Sequence, residues 1–431
     1  MSRGPLEGSI CLFGAPLDTG NLGVSALGLS TIAALARYAP GVTVELFDHG
    51  RGVRPTSLRI GDREVRVILR GGQITRRLYR GESLWSMYAA SRFAPRLNDN
   101  VRAIDAAMAV LDISGGDSFT DLYGKKQRDL VTLPKLIALR RRRPLVLLPQ
   151  TFGPFHDERS VRMARDILRG AEKVWARDPN SYERLRELLG VDFDPDSHFL
   201  GADVAFTLPA ADPGDRLRDA ASWLAQNDPT IGVNISGLLY NDPGAAARRF
   251  GLRAHYPSAM ELLVRRMLGE TERRVLLVPH VPGPGTESDT AAVRDLARRF
   301  DGEGRVCVLP SHLGADEVKH VIARTEWFVG ARMHSTIAAL STRTPTAAVA
   351  YSDKFQGVFD DCGVGHRVYD ARRSDTEELA EQLFQAWRTS DEDAALLRAH
   401  LPGVEQAVHE QFEDMVGTFT TPRVNKENGG D

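Results

Sequence analysis

Short apolar runs alternate with amphipathic stretches along most of the chain, and the alternation occurs twice. In the first half the runs Ile10–Gly14, Thr43–Phe47, Val65–Leu69, Ala109–Ser114, Pro144–Pro149, Lys173–Ala176 and His198–Gly201 read as strands. In the second half Thr230–Ile235, Arg274–Val278, Arg305–Leu309, Trp327–Val329 and Thr346–Ala350 do the same. Helical periodicity falls between them, over Leu22–Tyr38, Val131–Arg142, Arg159–Gly170, Pro179–Leu189, Ser258–Leu268, Asp289–Phe300, Ala315–Arg324 and Arg332–Ser341. Strands that are apolar on both faces and separated by helices predict parallel sheets covered on both sides. The breaker-rich segment Leu208–Gly214 separates the halves, followed by an expected helix Asp215–Gln226 and by Asn227-Asp228-Pro229.

The pattern therefore predicts an α/β protein of two doubly wound, Rossmann-like domains facing each other across a cleft. Residues 1–212 form the first and 228–400 the second, with a helix and a disordered tail over 401–431. Helices are expected at Thr376–Thr389, Glu392–Leu401 and Val404–Gly417, one of them crossing back onto the first half. Disorder is expected over Arg423–Asp431. Ligands of such folds bind where strands end, so the cleft is the expected site. An insertion over 51–95 carries a candidate hairpin (Ser57–Ile60, Glu64–Leu69) and scattered Arg70, Arg76, Arg77 and Arg80. It suits either a solvated loop or a grip on a phosphorylated lipid or acidic glycan. The run Arg140–Arg143 is expected to complement the dipole of the helix it ends.

Composition narrows the class. At 431 residues, 42% hydrophobic and 26% charged, the chain is of a size and kind that buries two cores. A formal net charge of -2 excludes a dedicated nucleic-acid binder. The cations are nearly all Arg, as GC-rich coding would produce. Three scattered cysteines (Cys11, Cys307, Cys362) make neither a disulfide framework nor a metal set. No apolar run is long enough to span a bilayer, and Met1–Gly8 lacks the features of a signal peptide. The expected location is the cytoplasm, compatible with peripheral contact at the inner face of a membrane and with a homo-oligomer.

Candidate chemistry gathers at strand ends. Gly330-Ala331-Arg332-Met333-His334-Ser335 closes a strand and opens a helix. The unpaired N–H groups there, with a guanidinium and an imidazole, suit an anion beside a proton donor; a solvated helix start is the plain alternative. Gly115-Gly116-Asp117 follows a buried strand, so Asp117 is either a base facing a ligand hydroxyl or a helix N-cap. In Ala176-Arg177-Asp178-Pro179, Asp178 caps the next helix and Arg177 is left to grip a phosphate, a carboxylate or a surface ion-pair partner. His280 and Lys354 also follow strands, as cleft residues or as ordinary structural and solvated ones. The strand exit at Leu148–Phe155 suits either packing or the wall of the cleft. No dinucleotide fingerprint, P-loop, nucleophile elbow or metal-ligand spacing is present.

Taken in order, these segments resemble the polysaccharide pyruvyl transferase family, whose two-domain fold is like that of GT-B glycosyltransferases. The resemblance lies in Asp18-Thr19-Gly20-Asn21-Leu22-Gly23, Gly115-Gly116-Asp117, Gln150 with Gly153-Pro154, Ala176-Arg177-Asp178 with Ser181, Gly201-Ala202-Asp203, Val233-Asn234-Ile235-Ser236 and Gly330–Ser335, spanning about Ile10 to Gly363. Relatives usually carry an acidic residue where Val24 stands, and the 51–95 insertion has no family pattern. The resemblance implies pyruvyl transfer from phosphoenolpyruvate to a sugar or lipid-linked oligosaccharide, with no cofactor. It implies that Arg177, Arg332 and the helix start at Met333 bind the donor, that His334 is the acid and Asp117 the base, and that Asn21, Gly115, Gly116, Asn234, Ser236, His280 and Lys354 line the substrates. A nucleotide-sugar glycosyltransferase, or a non-catalytic binding paralogue, would share the same architecture.

Overall fold

The computed structural model describes residues 7–420 except Asp62 and Asn227; the expected tail Arg423–Asp431 lies outside the described residues. Among the described residues, fourteen strands form two sheets. The first contains β1 (Gly8–Phe13), β2 (Val42–Asp48), β3 (Val53–Ile60), β4 (Arg63–Gly71), β5 (Ala109–Asp112), β6 (Leu145–Gln150), β7 (Lys173–Ala176) and β8 (His198–Leu200). Its order is β3-β4-β2-β1-β5-β6-β7-β8, parallel throughout except for the β3–β4 hairpin. The second contains β9 (Thr230–Asn234), β10 (Arg274–Val278), β11 (Val306–Val308), β12 (Trp327–Gly330), β13 (Thr346–Ala350) and β14 (Val368–Asp370), ordered β11-β10-β9-β12-β13-β14 and wholly parallel. Each sheet reverses its winding beside its first strand, between β1 and β5 and between β9 and β12. Those switch points open crevices at the strands' C-terminal ends.

The central strands are buried along their whole length, as their unbroken apolar runs predict. Helices on both faces supply the cover. Leu22–Tyr38 is capped by Asn21, whose side chain accepts from Gly23 N at 3.0 Å. Pro179–Leu189 is capped by Asp178, which accepts from Ser181 N at 2.8 Å.

Several local expectations change. The segment after the linker is not one helix. A 3-10 turn (Gly214–Leu217) and a short helix (Asp219–Leu224) meet at Arg218, whose φ of 51° breaks the ladder. The two helices expected at the end are a single helix, Asp393–Thr420, which keeps Pro402 inside it. It does return to the first domain: His409 Nδ1 lies 2.7 Å from Tyr38 Oη, and Gln411 bonds both backbone groups of Ala202. Helices at Leu84–Phe93, Asp99–Ala106, Pro243–Phe250 and Lys354–Asp361, and strand β14, were too short or too polar to stand out as periodic segments. The Arg140–Arg143 run does more than complement a dipole. Arg140 donates to Tyr88 Oη at 2.6 Å with its guanidinium over that ring, and Arg141 grips Asp105, so the run clamps the insertion to the sheet's covering helix. No helix among the described residues is long and apolar enough to cross a membrane.

Candidate active site

Both switch points open onto one cleft of about 980 Å³ between the domains. The domains are already in register there: Leu22 N donates to His280 O at 3.1 Å, and Lys354 Nζ reaches Asp117 Oδ2 at 3.5 Å. Of the residues singled out in the sequence, Asn21, Gly115, Asp117, Arg177, His280, Arg332, Met333, His334 and Lys354 line this cleft. Strand ends bring them together across more than three hundred positions of chain.

The first domain contributes Arg177 at the end of β7. It is 2% exposed, and its Nε and Nη2 have no hydrogen-bond partner among the described residues. Only longer ion pairs hold it, with Asp178 and Asp203 at 3.6 Å each. Unsatisfied buried guanidinium nitrogens are costly, and these two are free to donate to an anion in the cleft. Gly116 makes room for this arrangement. At its φ of +85° a Cβ would stand 3.1 Å from Arg177 Nη1, tighter than ordinary contact.

The second domain contributes the β12 exit. Arg332 precedes the helix Met333–Leu340 and is held by Asp289, which accepts from Arg332 Nη2 at 2.8 Å. The same carboxylate accepts from Gly237 N, His280 N and Val281 N, so it is saturated and fully buried. Arg332 therefore enters the cleft pre-oriented, with part of its charge offset. His334 follows one residue later and crosses into the first domain. Its Nε2 lies 3.5 Å from Asp203 Oδ2, and its ring packs against the face of Gly23, where a Cβ would come within 2.5 Å of Nδ1.

Asp203 is the residue that analysis of strand ends alone overlooked. Its Oδ2 sits between Arg177 and His334 with no hydrogen bond, while Oδ1 caps the 3-10 helix Val204–Thr207 through Ala205 N. The signal was the Gly201-Ala202-Asp203 triplet just past β8. Asp289 gave no comparable signal, since it lies 43 residues before the arginine it orients.

Electrostatics follow from this packing. Burial pushes the Asp203 carboxyl up, but His334, Arg177 and the Ala205 N–H outweigh it and hold it below the usual carboxylate range. Burial acts likewise on Asp117, and Lys354, Arg177 and His334 again prevail, so it is ionised at neutral pH. Lys354 shows the mirror image: burial lowers its affinity for a proton, while Tyr351 and Asp117 raise it further, leaving a firm ammonium. Burial, with His334 and Arg332 nearby, drives the His280 imidazole down to about 3. Neither of its ring nitrogens has a partner among the described residues. Around the cleft Arg177, Arg184, Arg249, Arg332, Lys354 and Arg372 face Asp117, Glu287 and Asp353, six cations against three carboxylates. That excess suits a small, multiply charged anion.

Three predicted site residues stand elsewhere. Asn234 is wholly buried at the end of β9, where its side chain accepts from Arg332 N at 3.1 Å and donates to Val278 O at 2.9 Å. It pins the β12 turn from behind rather than facing a ligand. Ser236 is equally buried, its backbone N–H donating to Tyr256 Oη. Gly116 lies beneath Arg177 and supplies clearance, not cleft surface. Asn21 does line the cleft, but its side-chain oxygen is committed to the helix cap.

Two parallel, doubly wound domains with an anion-seeking cleft between their switch points define a GT-B-like enzyme. Structures similar in fold include a Listeria monocytogenes protein assigned as a UDP-N-acetylglucosamine 2-epimerase (TM-score 0.62, 12% identity, 96% of this chain and 97% of that one). Another is HepE of Anabaena, solved with UDP and glucose (TM-score 0.53, 12% identity, 95% and 98%). The chain belongs to the polysaccharide pyruvyl transferase family, whose sequence model matches residues 21–353. It is 25% identical over 303 residues to the amylovoran biosynthesis protein AmsJ of Erwinia amylovora, 68% of each chain.

Proposed function

We propose that this enzyme transfers the pyruvyl group of phosphoenolpyruvate to one or two hydroxyls of a sugar during polysaccharide or cell-surface glycan synthesis, forming a cyclic ketal where two hydroxyls are available. The observation that carries the reading is Arg177: a buried guanidinium with two unpartnered nitrogens, beside an imidazole and an ionised carboxylate.

The donor bears a phosphate and a carboxylate, which Arg177, Arg332 and the N–H groups at Met333 can divide between them. His334 gives a proton to the methylene carbon of the enol, which becomes a methyl group. The neighbouring carbon, now cation-like, forms a bond to a sugar oxygen while Asp117 accepts that hydroxyl's proton. A second hydroxyl then adds at the same carbon as its bond to the phosphate oxygen breaks. Of the two hydroxyl protons, one replaces that given to the methyl group and the other leaves with inorganic phosphate. Donor and acceptor supply every reacting atom. Asp203 positions His334, and the fixed cations stabilise the departing phosphate without reorganising.

The test is incubation with phosphoenolpyruvate and a panel of sugar acceptors in deuterated water. The reading expects inorganic phosphate in step with product, and a methyl group carrying one solvent deuterium. His334→Asn is expected to bind the donor but turn over about 100-fold more slowly or worse. Consumption of a nucleotide sugar, with no phosphate released from phosphoenolpyruvate, would instead make the protein a glycosyltransferase.

A further inference from the structure

The insertion between β2 and β5 contains a surface that the cleft chemistry does not use. The chain leaves β4 at Gly71 and returns to the helix Leu84–Phe93, and its two arms are pinned together. Gln73 N donates to Glu82 O at 2.8 Å and Leu84 N to Gln73 O at 2.9 Å. The tip, Arg76-Arg77-Leu78-Tyr79-Arg80, holds Leu78 60% and Tyr79 82% exposed. A second exposed group, Arg92-Phe93 and Arg96-Leu97, lies just beyond the helix, with Phe93 78% and Leu97 86% exposed. Asn98 Nδ2 donates to Gly81 O at 3.1 Å and so ties the two groups into one face.

On a single large apolar side chain such exposure means little; four in one place form a patch that a soluble surface ordinarily avoids. The charge carried by its two exposed groups is basic, with the Glu82 carboxylate close to Arg80. None of Arg76, Arg77, Arg80, Arg92 or Arg96 forms an ion pair with a described residue, whereas Arg102 and Arg141 nearby do. The molecule as a whole carries -2, so this is a local basic field on a near-neutral protein. Arginines interleaved with Leu, Tyr and Phe match an anionic bilayer surface, where the cations meet headgroup phosphates and the apolar tips enter the acyl boundary. Topology sets the direction. Because β4 runs parallel to β2, Gly71 ends on the same sheet edge as the switch point. Gly72 and Leu84 line a side pocket that shares Thr19, Val24 and Gly115 with the cleft.

We propose that this face, built on Arg76–Arg80 and Arg92–Leu97, docks the enzyme onto an anionic lipid surface at the first domain's edge of the cleft. Docking does not depend on the pyruvyl-transfer reading, and its test needs no turnover. The full chain is sedimented with vesicles of phosphatidylcholine alone or of phosphatidylcholine mixed with phosphatidylglycerol. Binding is expected to the mixed vesicles, falling steeply as salt is raised. The double variant Arg76→Ser/Arg77→Ser is expected to weaken it by about tenfold or more. Leu78→Ser/Tyr79→Ser is expected to weaken it with little change in the salt response, with unfolding midpoints as in the parent chain. Equal sedimentation with and without phosphatidylglycerol, or variants that bind like the parent, would overturn the proposal. So would a self-association abolished by the Leu78/Tyr79 variant in the absence of vesicle binding, which would make the patch a contact between copies.

Discussion

At the scale of single residues, the site depends on groups whose hydrogen-bonding capacity the protein leaves open. Arg177 has two nitrogens without a hydrogen-bond partner among the described residues, since Asp178 and Asp203 come no closer than 3.6 Å. A lysine there would keep the charge but lose the planar fork. Arg177→Lys is therefore expected to raise KM for phosphoenolpyruvate about tenfold or more, measured by steady-state phosphate release, with the fold unaffected. Gly23 makes the opposite kind of contribution, by clearance. Alanine is the better helix former by about 1 kcal/mol, so Gly23→Ala should not reduce stability through propensity. Its Cβ would nonetheless stand 2.5 Å from His334 Nδ1 and must push the ring aside. The expected result is an unchanged unfolding midpoint with kcat reduced about 100-fold, the scale of loss that a small misplacement causes. An unchanged kcat would mean that the ring's place does not matter.

Among elements, the C-terminal helix matters most for its distance in sequence from what it holds. Gln411 accepts from Ala202 N at 3.1 Å and donates to Ala202 O at 3.0 Å, and Asp203 is the next residue. Gln411→Ala would leave two buried backbone groups unpaired. That is expected to lower unfolding free energy by about 2–4 kcal/mol, read from denaturant titration, and to lower kcat as Asp203 loses its anchor. Element boundaries also show where sequence periodicity fails. Helix Leu84–Phe93 buries only Leu84, Met87 and Ser91, so it has too narrow an apolar stripe to stand out. The break expected between Leu401 and Val404 falls at Pro402, which the helix Asp393–Thr420 keeps inside it.

On the scale of the whole molecule, both domains contribute residues to the cleft, and His280 stands at their junction. Its backbone carbonyl accepts from Leu22 N, while its ring is buried and unpaired. The folded value of about 3 lies below the ordinary 6.5, so between them the unfolded chain binds the extra proton. Stability from this group is complete above about 6.5 and is lost as pH falls through that window, by up to about 1.4 kcal/mol per pH unit. His280→Asn is expected to flatten the dependence of unfolding free energy on pH between about 3 and 6.5 relative to the parent chain. Identical slopes in the two proteins would show that other groups govern acid sensitivity.

Apolar runs and their spacing were enough, by themselves, to determine that this chain makes two parallel, helix-covered sheets, because burial on both faces demands unbroken apolar strands. Strand-end motifs likewise pointed to Arg177, Arg332, His334 and Asp117, which line one cleft because parallel strands end at one edge. Only the tertiary structure decided which groups meet. Asp203 and Asp289, each at the start of a helical turn, are brought to partners far away in sequence, Asn234 and Ser236 are buried behind the cleft, and Asn98 joins the insertion's two exposed segments. Such pairings depend on distances between elements, and a linear pattern of polar and apolar positions carries no information about those distances.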